Sequence, residues 1–580
     1  MWDRALEYSY IRSGEKLYRV YESLKDAPFL FFDTEVSGDR VRLVQLGNDK
    51  EIFLLDLFDL GQEGVLFLRQ LLPQKGIVGH NLKFDLKYLF EYGIEPYAVF
   101  DTMIASQLLG NTDKHSLQKV AMHYLGQVLD KSLQASNWGQ PFLGKEQLEY
   151  AALDVKVVRE LFRLFLQKLN EVPHREETLL KTKTSRVFGL YNPVAIVEMA
   201  FVQETAKLER WGIPVDREEL EKKLKEQEKE LHRKVMDFMS RHRVDPFSPR
   251  QVGELLTRKF RLDLPKTEKG NVSTDDKVLS EHAHHPVVWE VLQIRSLKKT
   301  IEKLQEIKER LVGERVYPEF RQIGAVTGRM ASSNPNVQNI PRHLRSIFRA
   351  QEGNTFVIAD FSQIELRIAS EYVNEEKMVR AFLEGKDLHR YTASLFLQKP
   401  EEEVSKEERQ LAKAVNFGLI YGISAKGLVE YARTYGVDLS LETAQRIRES
   451  FFSYYTNIRA WHEKVKRELK DFKESRGHTL LGRSYVAHTF PDAVNYPIQG
   501  TGADLLKLSV LMFGAELKRE HLEAKVVNLV HDEIVVECEE SIAERVAELL
   551  RRAMRHAGNI VLKKVPVEVE VAINKRWEKG

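Results

Sequence analysis

Three short motifs in the first 160 or so residues carry acidic side chains at regular spacings. Asp33 and Glu35 stand two residues apart where an apolar run ends, so a strand there would place both on one face. Two further motifs repeat a four-residue spacing on predicted helices, Asn81 with Asp85 and Tyr150 with Asp154. Neighbouring carboxylates repel one another unless cations lie between them. The set therefore predicts a two-metal site for phosphodiester hydrolysis, in which the tyrosine hydroxyl orients the water.

A second group of acids lies in the C-terminal half of the chain. In FVIADFSQIELRI a buried-strand pattern ends at Asp360, and a helical pattern begins near Glu365. Two β-rich runs, KVVNLV and IVVECE, flank His531, Asp532 and Glu533, which predicts a hairpin with acids at its tip. Two aspartates on neighbouring strands can bridge two Mg²⁺ ions around a nucleoside triphosphate. This pattern indicates nucleotidyl transfer.

Between these acids, the segment ERQLAKAVNFGLIYGIS places two cations and two aromatic side chains four residues apart. They are Arg409, Lys413, Phe417 and Tyr421. Each interval turns a helix by about 40°, so the four would form one slanting stripe. Cations at one end suit a triphosphate, and rings at the other suit a sugar and a base. The spacing alone also fits an ordinary amphipathic helix with solvated cations, but the flanking acids favour the triphosphate hypothesis.

The elements that must position these side chains follow from apolar patterning. In the N-terminal part, short apolar runs alternate with helical patterns, which predicts an α/β domain on a mixed sheet. The predicted strands are residues 29–32, 42–46, 52–55 and 76–78, and the predicted helices are residues 82–92 and 147–166. A change of pattern over residues 168–195 predicts a domain boundary. Beyond it, residues 217–239 predict a long charged helix with one packed face.

The composition limits the class of protein. Its 580 residues imply several cores, since domains contain about 100–200 residues each. With 43% hydrophobic and 30% charged residues, a mean hydropathy of −0.38 and no long apolar run, we expect a soluble chain without a membrane span. The single cysteine, Cys538, fits a reducing compartment such as the cytoplasm. A net charge of +2 leaves any attraction to nucleic acid to local basic patches.

These motifs resemble those of two known enzyme families. The set DxE, NxxxD and YxxxD is similar to the proofreading exonucleases of the DEDD superfamily with tyrosine in the third motif. Over nearly the whole chain, DFSQIELR, RxxxKxxNFGLIYG and VHDE resemble motifs A, B and C of family A DNA polymerases in their Klenow-like form. Because the proofreading motif starts at Asp33, the chain resembles the short, Aquifex-type form without a 5′-nuclease domain. This implies template-directed DNA synthesis with 3′–5′ proofreading in replication and repair, no flap removal, and a composition compatible with a thermophile.

The resemblance assigns roles in the exonuclease residue by residue. Two metal ions would be bound by Asp33, Glu35, Asp85 and Asp154. Tyr150 would position the attacking water. Each of the two active sites would use two Mg²⁺ ions, with Mn²⁺ as a substitute.

The resemblance also assigns the chemistry of the polymerase site. Asp360 and Asp532 would be the metal ligands, with Glu533 as an auxiliary acid. Arg409 and Lys413 would grip the triphosphate, and Lys413 is the candidate proton donor to pyrophosphate.

Four further side chains would hold or select the nucleotide in that resemblance. Glu365 would exclude a ribonucleotide's 2′ hydroxyl, and Phe417 would stack on the incoming sugar. His389 would contact a phosphate, and Tyr421 would stack at the templating position.

The DNA would be contacted by another group of residues. Arg329, Asn495 and Gln499 would follow the minor groove of the primer-template, where all base pairs share acceptors. His531 would approach the primer terminus. Pro491 stands where the family often has arginine, so one expected template contact is missing.

The implied fold is a multidomain α/β protein. An RNase H-like (DEDD) 3′–5′ exonuclease domain would occupy residues 1–172, and a right-hand polymerase domain residues 173–580. Within the latter, the thumb would span about 217–315, the fingers about 370–485, and the palm the remainder. The expected partners are primer-template DNA and dNTPs, and the expected state is a nucleoid-associated monomer in the cytoplasm.

Two other classes of function are weighed against this hypothesis. One is a 3′ exonuclease whose C-terminal part only binds nucleic acid, and the other is a scaffold with both sites silent. The intact cation-aromatic stripe and the aspartate pair argue against the first. Retention of carboxylates at both positions argues against the second.

Overall fold

The computed structural model describes residues 7–174 and 181–578. Its N-terminal part is built on a mixed six-stranded sheet in the order β1-β4-β3-β2-β5-β6. The pairs β1–β4, β2–β5 and β5–β6 are parallel, and the other pairs are antiparallel. The strands are β1 (Ser9–Ile11), β2 (Phe29–Ser37), β3 (Arg40–Gly47), β4 (Ile52–Asp56), β5 (Gly76–Gly79) and β6 (Ala98–Asp101). All four runs that the sequence predicted as strands are confirmed.

Helices pack around this sheet, and each buries apolar side chains in the N-terminal core. They are α1 (Leu17–Leu24), α2 (Leu57–Leu71), α3 (Leu82–Glu91), α4 (Thr102–Leu109), α5 (Leu117–Leu125), α6 (Lys145–Glu171) and α7 (Lys183–Phe188). The helices predicted over residues 82–92 and 147–166 are confirmed as α3 and α6. One detail was wrong: Asn81 precedes α3 in a left-handed conformation, with φ 58° and ψ 48°, so only Asp85 of that motif lies on the helix. Asparagine tolerates this conformation better than most residues.

Helix α8 (Pro193–Trp211) belongs to both halves of the molecule. One set of its side chains packs into the N-terminal core: Ala195, Ile196, Met199, Val202 and Ala206. Another set packs into the second, larger core: Val194, Val197, Phe201 and Leu208. A helix that is apolar around most of its circumference must be covered from more than one side. The two halves therefore share a structural element at their junction.

Two long helices, α9 (Arg217–His242) and α12 (Pro286–Glu309), pack against each other and form an arm. Near its base, Leu220 and Leu304 join the second core, while Phe238 and Val288 belong to a separate small core farther along. That small core also includes residues of α10 (Pro249–Glu254), close to α11 (Asp276–Ser280). The charged helix predicted over residues 217–239 is confirmed as α9.

The second core surrounds an antiparallel four-stranded sheet in the order β14-β15-β11-β16. Its strands are β11 (Asn354–Phe361), β14 (Ala524–Val530), β15 (Glu533–Glu539) and β16 (Val569–Asn574), and α20 (Phe490–Glu520) and α21 (Ala543–Val561) pack on it. Shorter pairs are formed by β7 (Ile213–Pro214) with β8 (Arg315–Val316), β9 (Glu319–Arg321) with β10 (Ala331–Ser333), and β12 (Ser475–His478) with β13 (Ser484–Ala487). The predicted hairpin is confirmed: β14 and β15 are joined by His531 and Asp532.

Between β11 and β12 the chain is helical. The helices are α13 (Ile364–Tyr372), α14 (Glu376–Leu383), α15 (Leu388–Leu397), α16 (Lys406–Ile420), α17 (Ala425–Arg433), α18 (Leu441–Tyr454) and α19 (Thr456–Phe472). A capping box of Ser405 and Glu408 starts α16. The helix ends one residue earlier than the stripe required, because Tyr421 is its C-cap and Gly422 follows at φ 76°.

Within residues 7–174 and 181–578, no helix combines the length and apolarity that crossing a membrane requires.

Candidate active sites

The N-terminal acids converge where β2 faces α3 and α6. One carboxylate oxygen from each of Asp33, Glu35 and Asp154 lies within 4.8 Å of the others. Asp85 is buried beside them and accepts a hydrogen bond from the Thr34 hydroxyl. The prediction that the three motifs meet is therefore confirmed in geometry. The two strand acids reach the site because residues i and i+2 of β2 share a face of the sheet.

Burial and crowding of like charges control the electrostatics of this site. Burial, and next the Asp85 and Glu35 carboxylates, raise the pKa of Asp33 well above its ordinary value. Burial, and next Asp154, raise the pKa of Glu35 to about 8. Burial raises the pKa of Asp85 to about 7. Such repulsion is relieved when hard cations lie between the oxygens, and carboxylates are the ligands that Mg²⁺ and Mn²⁺ prefer. The donor set therefore fits metal ions.

Lys131 is a member of this site that the sequence did not reveal. Its Nζ lies 2.8 and 3.0 Å from the two oxygens of Asp154 and donates a 3.1 Å hydrogen bond to the Tyr150 hydroxyl. The residue lies between α5 and α6, in a stretch without helical or strand periodicity, so no pattern connected it to the acids. Its ammonium counters part of the negative charge of four carboxylates.

Arg42 holds the backbone of residues 138–140 in place by hydrogen bonds. The guanidinium of this fully buried side chain lies 2.9 Å from both oxygens of Asp56. It also donates to the backbone carbonyls of Trp138, at 3.1 Å, and of Gln140. The Trp138 ring in turn lies 6.3 Å from the ring of Tyr150. The β3 strand thus holds the loop that covers one side of the acids.

The second group of acids meets in a cleft of about 640 Å³ above the four-stranded sheet. Asp360 stands near the end of β11, directly opposite Glu533 of β15, and Asp532 precedes Glu533 at the hairpin tip. Both aspartates line the cleft. The predicted neighbourhood of Asp360 and Asp532 is therefore confirmed. Two adjacent carboxylates at the mouth of a cleft form a donor set that suits hard metal ions.

Glu533 differs from the two aspartates in its surroundings. Its side chain is buried and accepts a hydrogen bond from the indole of Trp577. Arg345 approaches it at 3.7 Å, and the Arg345 guanidinium lies 4.3 Å above the Trp577 ring. The carboxylate of Glu533 is therefore tied to the protein interior beside the hairpin.

Helix α16 supplies the cations on the opposite wall. Arg409, Lys413 and Phe417 line the same cleft as the aspartates, as the predicted stripe requires. The Nε of Arg409 donates a 2.9 Å bond to Asp387, whose carboxylate also caps α15. A cationic fork and an ammonium along one helix face can bind an extended polyphosphate.

His389 lies behind Arg409 and Phe417 and is 1% exposed. Burial, and next the Arg409 charge, lower the pKa of His389 to about 4, so the imidazole is neutral at pH 7. Asn416 Nδ2 donates a 3.0 Å bond to its Nδ1. The proton therefore lies on Nε2, which can donate a hydrogen bond to an oxygen atom of a ligand.

The end of α16 is connected to the first turn of α13. The Tyr421 hydroxyl donates a 2.8 Å hydrogen bond to Glu365, and Arg329 lies 3.7 Å from the same carboxylate. Burial, and next the Glu365 charge, raise the pKa of Tyr421 well above its ordinary value. Glu365 is thus held between a neutral phenol and a guanidinium at the edge of the cleft.

The remaining predicted site residues surround this edge. Arg329, Gln499 and His531 line the cleft. Asn495 and Gln499 lie one turn apart on α20 and so face the same way. Pro491 stands in the first turn of α20, where its missing N–H is tolerated.

Two family models match the chain. The 3′–5′ exonuclease model matches residues 8–170, and the model of DNA polymerase family A matches residues 216–579. DNA polymerase I of Aquifex aeolicus is 58% identical over 576 residues, which cover 99% of this chain and 100% of that protein. DNA polymerase I of Pseudomonas aeruginosa is 31% identical over 547 residues, which cover 88% of this chain and 57% of the relative.

A solved structure has the same fold over almost the whole chain. It is described as the POL domain of Pol1 from M. smegmatis in complex with a DNA primer-template and dNTP. The two superpose with a TM-score of 0.79 at 24% sequence identity, covering 98% of this chain and 99% of the other. The order of the two domains and their mixed α/β architecture are therefore shared with it.

Proposed function

The chain belongs to DNA polymerase family A, and we propose that its two carboxylate sites divide DNA synthesis and proofreading between them. It is a DNA polymerase with a 3′–5′ exonuclease domain. We assign the exonuclease to residues 1–172 and the polymerase to residues 173–580. In the latter, the thumb spans about 217–315, the fingers about 370–485, and the palm the remainder. The observation that carries the proposal is the pair Asp360 and Asp532 facing the cations of α16 across one cleft.

In the polymerase site, Asp360 and Asp532 would hold two Mg²⁺ ions, with Mn²⁺ as a substitute. When bound, such ions lower the pKa of the attacking hydroxyl and stabilise the leaving oxygen. Arg409 and Lys413 bind the triphosphate and orient it along α16. Lys413 gives a proton to the departing pyrophosphate, and the neutral His389 donates a hydrogen bond to a phosphate oxygen. Glu533 supports the hairpin through its bonds to the interior.

The sugar of the nucleotide is selected at the junction of α13 and α16. Phe417 stacks on the sugar, and Glu365 occupies the space beside its 2′ carbon. The bond from the Tyr421 hydroxyl fixes the Glu365 carboxylate there, which supports steric exclusion of a ribonucleotide. The ring of Tyr421 stacks at the templating position.

The primer-template contacts the opposite edge of the cleft. Arg329, Asn495 and Gln499 present donors to the acceptors that all base pairs share in the minor groove. His531, at the hairpin tip, approaches the primer terminus. The location of Arg329, Gln499 and His531 around one cleft supports this assignment.

In the exonuclease site, Asp33, Glu35, Asp85 and Asp154 would hold two metal ions. Tyr150 orients the water that attacks the terminal phosphodiester. The clustering of three of the carboxylates within 4.8 Å supports this assignment. We further propose that the protein acts as a monomer in the cytoplasm, associated with the nucleoid, in replication and repair, and that it tolerates heat.

The test is extension of an end-labelled primer on a DNA template with Mg²⁺, with and without dNTPs. We expect Asp532→Ala to lower extension by roughly 10³-fold while shortening continues, and Asp33→Ala to lower shortening by a similar factor while extension continues. Glu539→Ala and Asp39→Ala change exposed acids near the same strands and serve as matched controls. Shortening without extension by the unmodified chain would contradict the proposal and make this protein a nuclease.

A further inference from the structure

Four charged side chains form a buried network at the junction of the two halves: Glu198 of α8, Arg483, and Asp504 and Lys507 of α20. Each of their side chains is at most 5% exposed. Lys507 Nζ lies 2.7 Å from Glu198, and Arg483 lies 2.8 Å from Asp504 and also donates to Glu198. With two acids and two cations, the network is neutral as a whole.

Stability alone gives no reason for such a network. Removing each ion from water is unfavourable, and apolar side chains of the same volume often stabilise a core as well as a buried ion pair does. A fully bonded polar network does fix one arrangement of the elements it joins. The structural question is therefore which arrangement these four residues hold.

Lys507 uses all three of its protons. Besides Glu198, its ammonium donates to the backbone carbonyls of Gln322, at 2.9 Å, and Gly328, at 2.7 Å. These two carbonyls lie at either end of the turn that leads into Arg329. The ammonium therefore holds both ends of the turn that presents Arg329 to the polymerase cleft.

The turn also packs closely on its neighbours. Gly328 has φ +81°, and a Cβ on it would lie 2.4 Å from Cζ of Arg483, so the guanidinium lies directly against the backbone of the turn. On the other side, a Cβ on Gly500 would lie 3.4 Å from the Thr327 carbonyl oxygen. Gly500 follows Gln499 on α20. The turn is thereby held against the helix at the residue next to Gln499.

We propose that Lys507 and Arg483 are positioning residues that fix Arg329 relative to Gln499, so that the two side chains test the shape of the primer-terminal base pair. The inference rests on the minor-groove role proposed above for these two residues. Correct base pairs of either composition present minor-groove acceptors at common positions, and a mispair displaces them. Donors held at a fixed separation lose hydrogen bonds when a mispair displaces the acceptors. Loosely held donors move with the acceptors and keep those bonds.

The test uses the full chain carrying Asp33→Ala, so that excision does not obscure extension. The double change Glu198→Gln with Lys507→Met removes one acid and one cation, which keeps the network neutral. This pair is compared with Arg329→Ala and with all three changes together. The measurement is kcat and KM for the next dNTP on matched and on mismatched primer termini. Circular dichroism establishes that each variant is folded.

We expect the Glu198→Gln/Lys507→Met pair to lower the ratio of kcat/KM on matched over mismatched termini by about tenfold, mainly through kcat on matched primers. In the Arg329→Ala background the pair should lower the ratio no further, because the effect passes through Arg329. The matched control is Arg315→Met with Glu537→Gln. That ion pair, at 2.8 Å, also has a cation that donates to backbone carbonyls, and its loss should leave the ratio unchanged.

The outcomes separate the inference from the function on which it rests. A chain without extension overturns the proposed function, and Arg329→Ala without any effect on the ratio overturns the role of Arg329. An equal fall of the ratio with and without Arg329, or no fall at all, overturns positioning by Lys507. If that pair fails to fold, Arg483→Met with Asp504→Asn removes the other half of the network and tests the same claim.

Discussion

The exonuclease site gathers four carboxylates around one ammonium, whereas the polymerase cleft places two aspartates opposite a wall of cations. Of the described residues lining the first site, four are acidic and one is Lys131. Six cationic residues line the cleft, which balance its six acids: Arg329, Arg342, Arg367, Lys386, Arg409 and Lys413. Lys131 is the single lysine or arginine among the described residues that line the first site, so bound cations would supply the rest of its positive charge. The second carries cations of its own, which suits a substrate that brings a triphosphate.

Tyrosine serves the two sites in different ways. Tyr150 accepts a hydrogen bond from Lys131 and is hydrogen-bonded to Asp154, so its hydroxyl is held within the cluster of acids. Tyr421 donates a hydrogen bond to Glu365 and thereby fixes a carboxylate that lines the cleft. The first phenol is thus bonded within the acids that we propose bind metal, and the second holds a single carboxylate at the edge of the cleft. Each of the following changes bears on one side of this comparison.

The largest effect is expected from Lys413→Met. Loss of the ammonium that we propose binds the triphosphate should lower kcat for primer extension by roughly 10²–10³-fold, with excision unchanged. Single-turnover extension and degradation of single-stranded DNA measure the two activities. Lys406→Met, an exposed change on the same helix, is the control. Equal losses in both activities would break the distinction between the sites.

Tyr421→Phe should lower the preference for dNTP over rNTP by about tenfold or more, because a hydrogen bond to a charged group contributes roughly 1.5–3 kcal/mol. Extension with dNTP should change much less. The measurement is the ratio of kcat/KM values for the two nucleotides. The control is Tyr435→Phe, which removes a hydroxyl that shares a 3.1 Å hydrogen bond with the Tyr431 hydroxyl. An unaltered preference for dNTP over rNTP would show that the hydrogen bond from Tyr421 is not needed to position Glu365.

Lys131→Met should raise the affinity of the exonuclease site for Mn²⁺ by about tenfold, which corresponds to roughly 1.4 kcal/mol. The ammonium 2.8 Å from Asp154 competes with an incoming cation and repels it. Calorimetric titration in an Asp532→Ala background isolates this site. Lys145→Met, whose side chain is 83% exposed, is the matched control. Weaker binding in the Lys131 variant would mean that the ammonium organises the acids instead of competing.

The smallest effect concerns pH. Because the pKa of Glu35 is raised to about 8 in the folded state, the folded chain binds more protons than the unfolded chain, and stability falls as pH rises from about 5 to 8. In chelator, the wild type should therefore lose about 2–4 °C more in Tm over this range than Glu35→Gln. Differential scanning calorimetry measures both. Added Mn²⁺ should remove this difference between the wild type and Glu35→Gln. If the Tm values of the two proteins fall in parallel with pH in the absence of metal, the raised pKa of Glu35 is contradicted.

Local patterning was sufficient for much of the fold and for the meeting of the acids. The four apolar runs became strands, the KVVNLV and IVVECE runs became a hairpin, and three cleft residues of the stripe share one face of α16. These features depend on periods of two and 3.6 residues, which can be read from neighbouring positions. Tyr421 was misplaced by one residue, because the left-handed Gly422 ends the helix.

Features that depend on distant pairs could not be predicted. Lys131 meets Asp154 across 23 residues from an aperiodic stretch, and Glu198 meets Lys507 across 309 residues. No local period connects such partners, and a lone Glu or Lys in a helix is usually at the surface. The two-sided burial of α8 does leave a trace in the nearly continuous apolar run with which the helix begins at Pro193, but the change of pattern over residues 168–195 predicts only a domain boundary.

The double membership of α8 limits how these two activities can be separated by cutting the gene. A polymerase fragment that begins at α8 would carry Ala195, Ile196, Met199, Val202 and Ala206 as an uncovered apolar strip, because the N-terminal core is their cover. An exonuclease fragment that ends before α8 would expose the matching surface of its own core. To obtain a separate polymerase fragment, the apolar residues on one face of α8 must therefore be replaced by polar residues. The rest of the helix, with Glu198, must be kept.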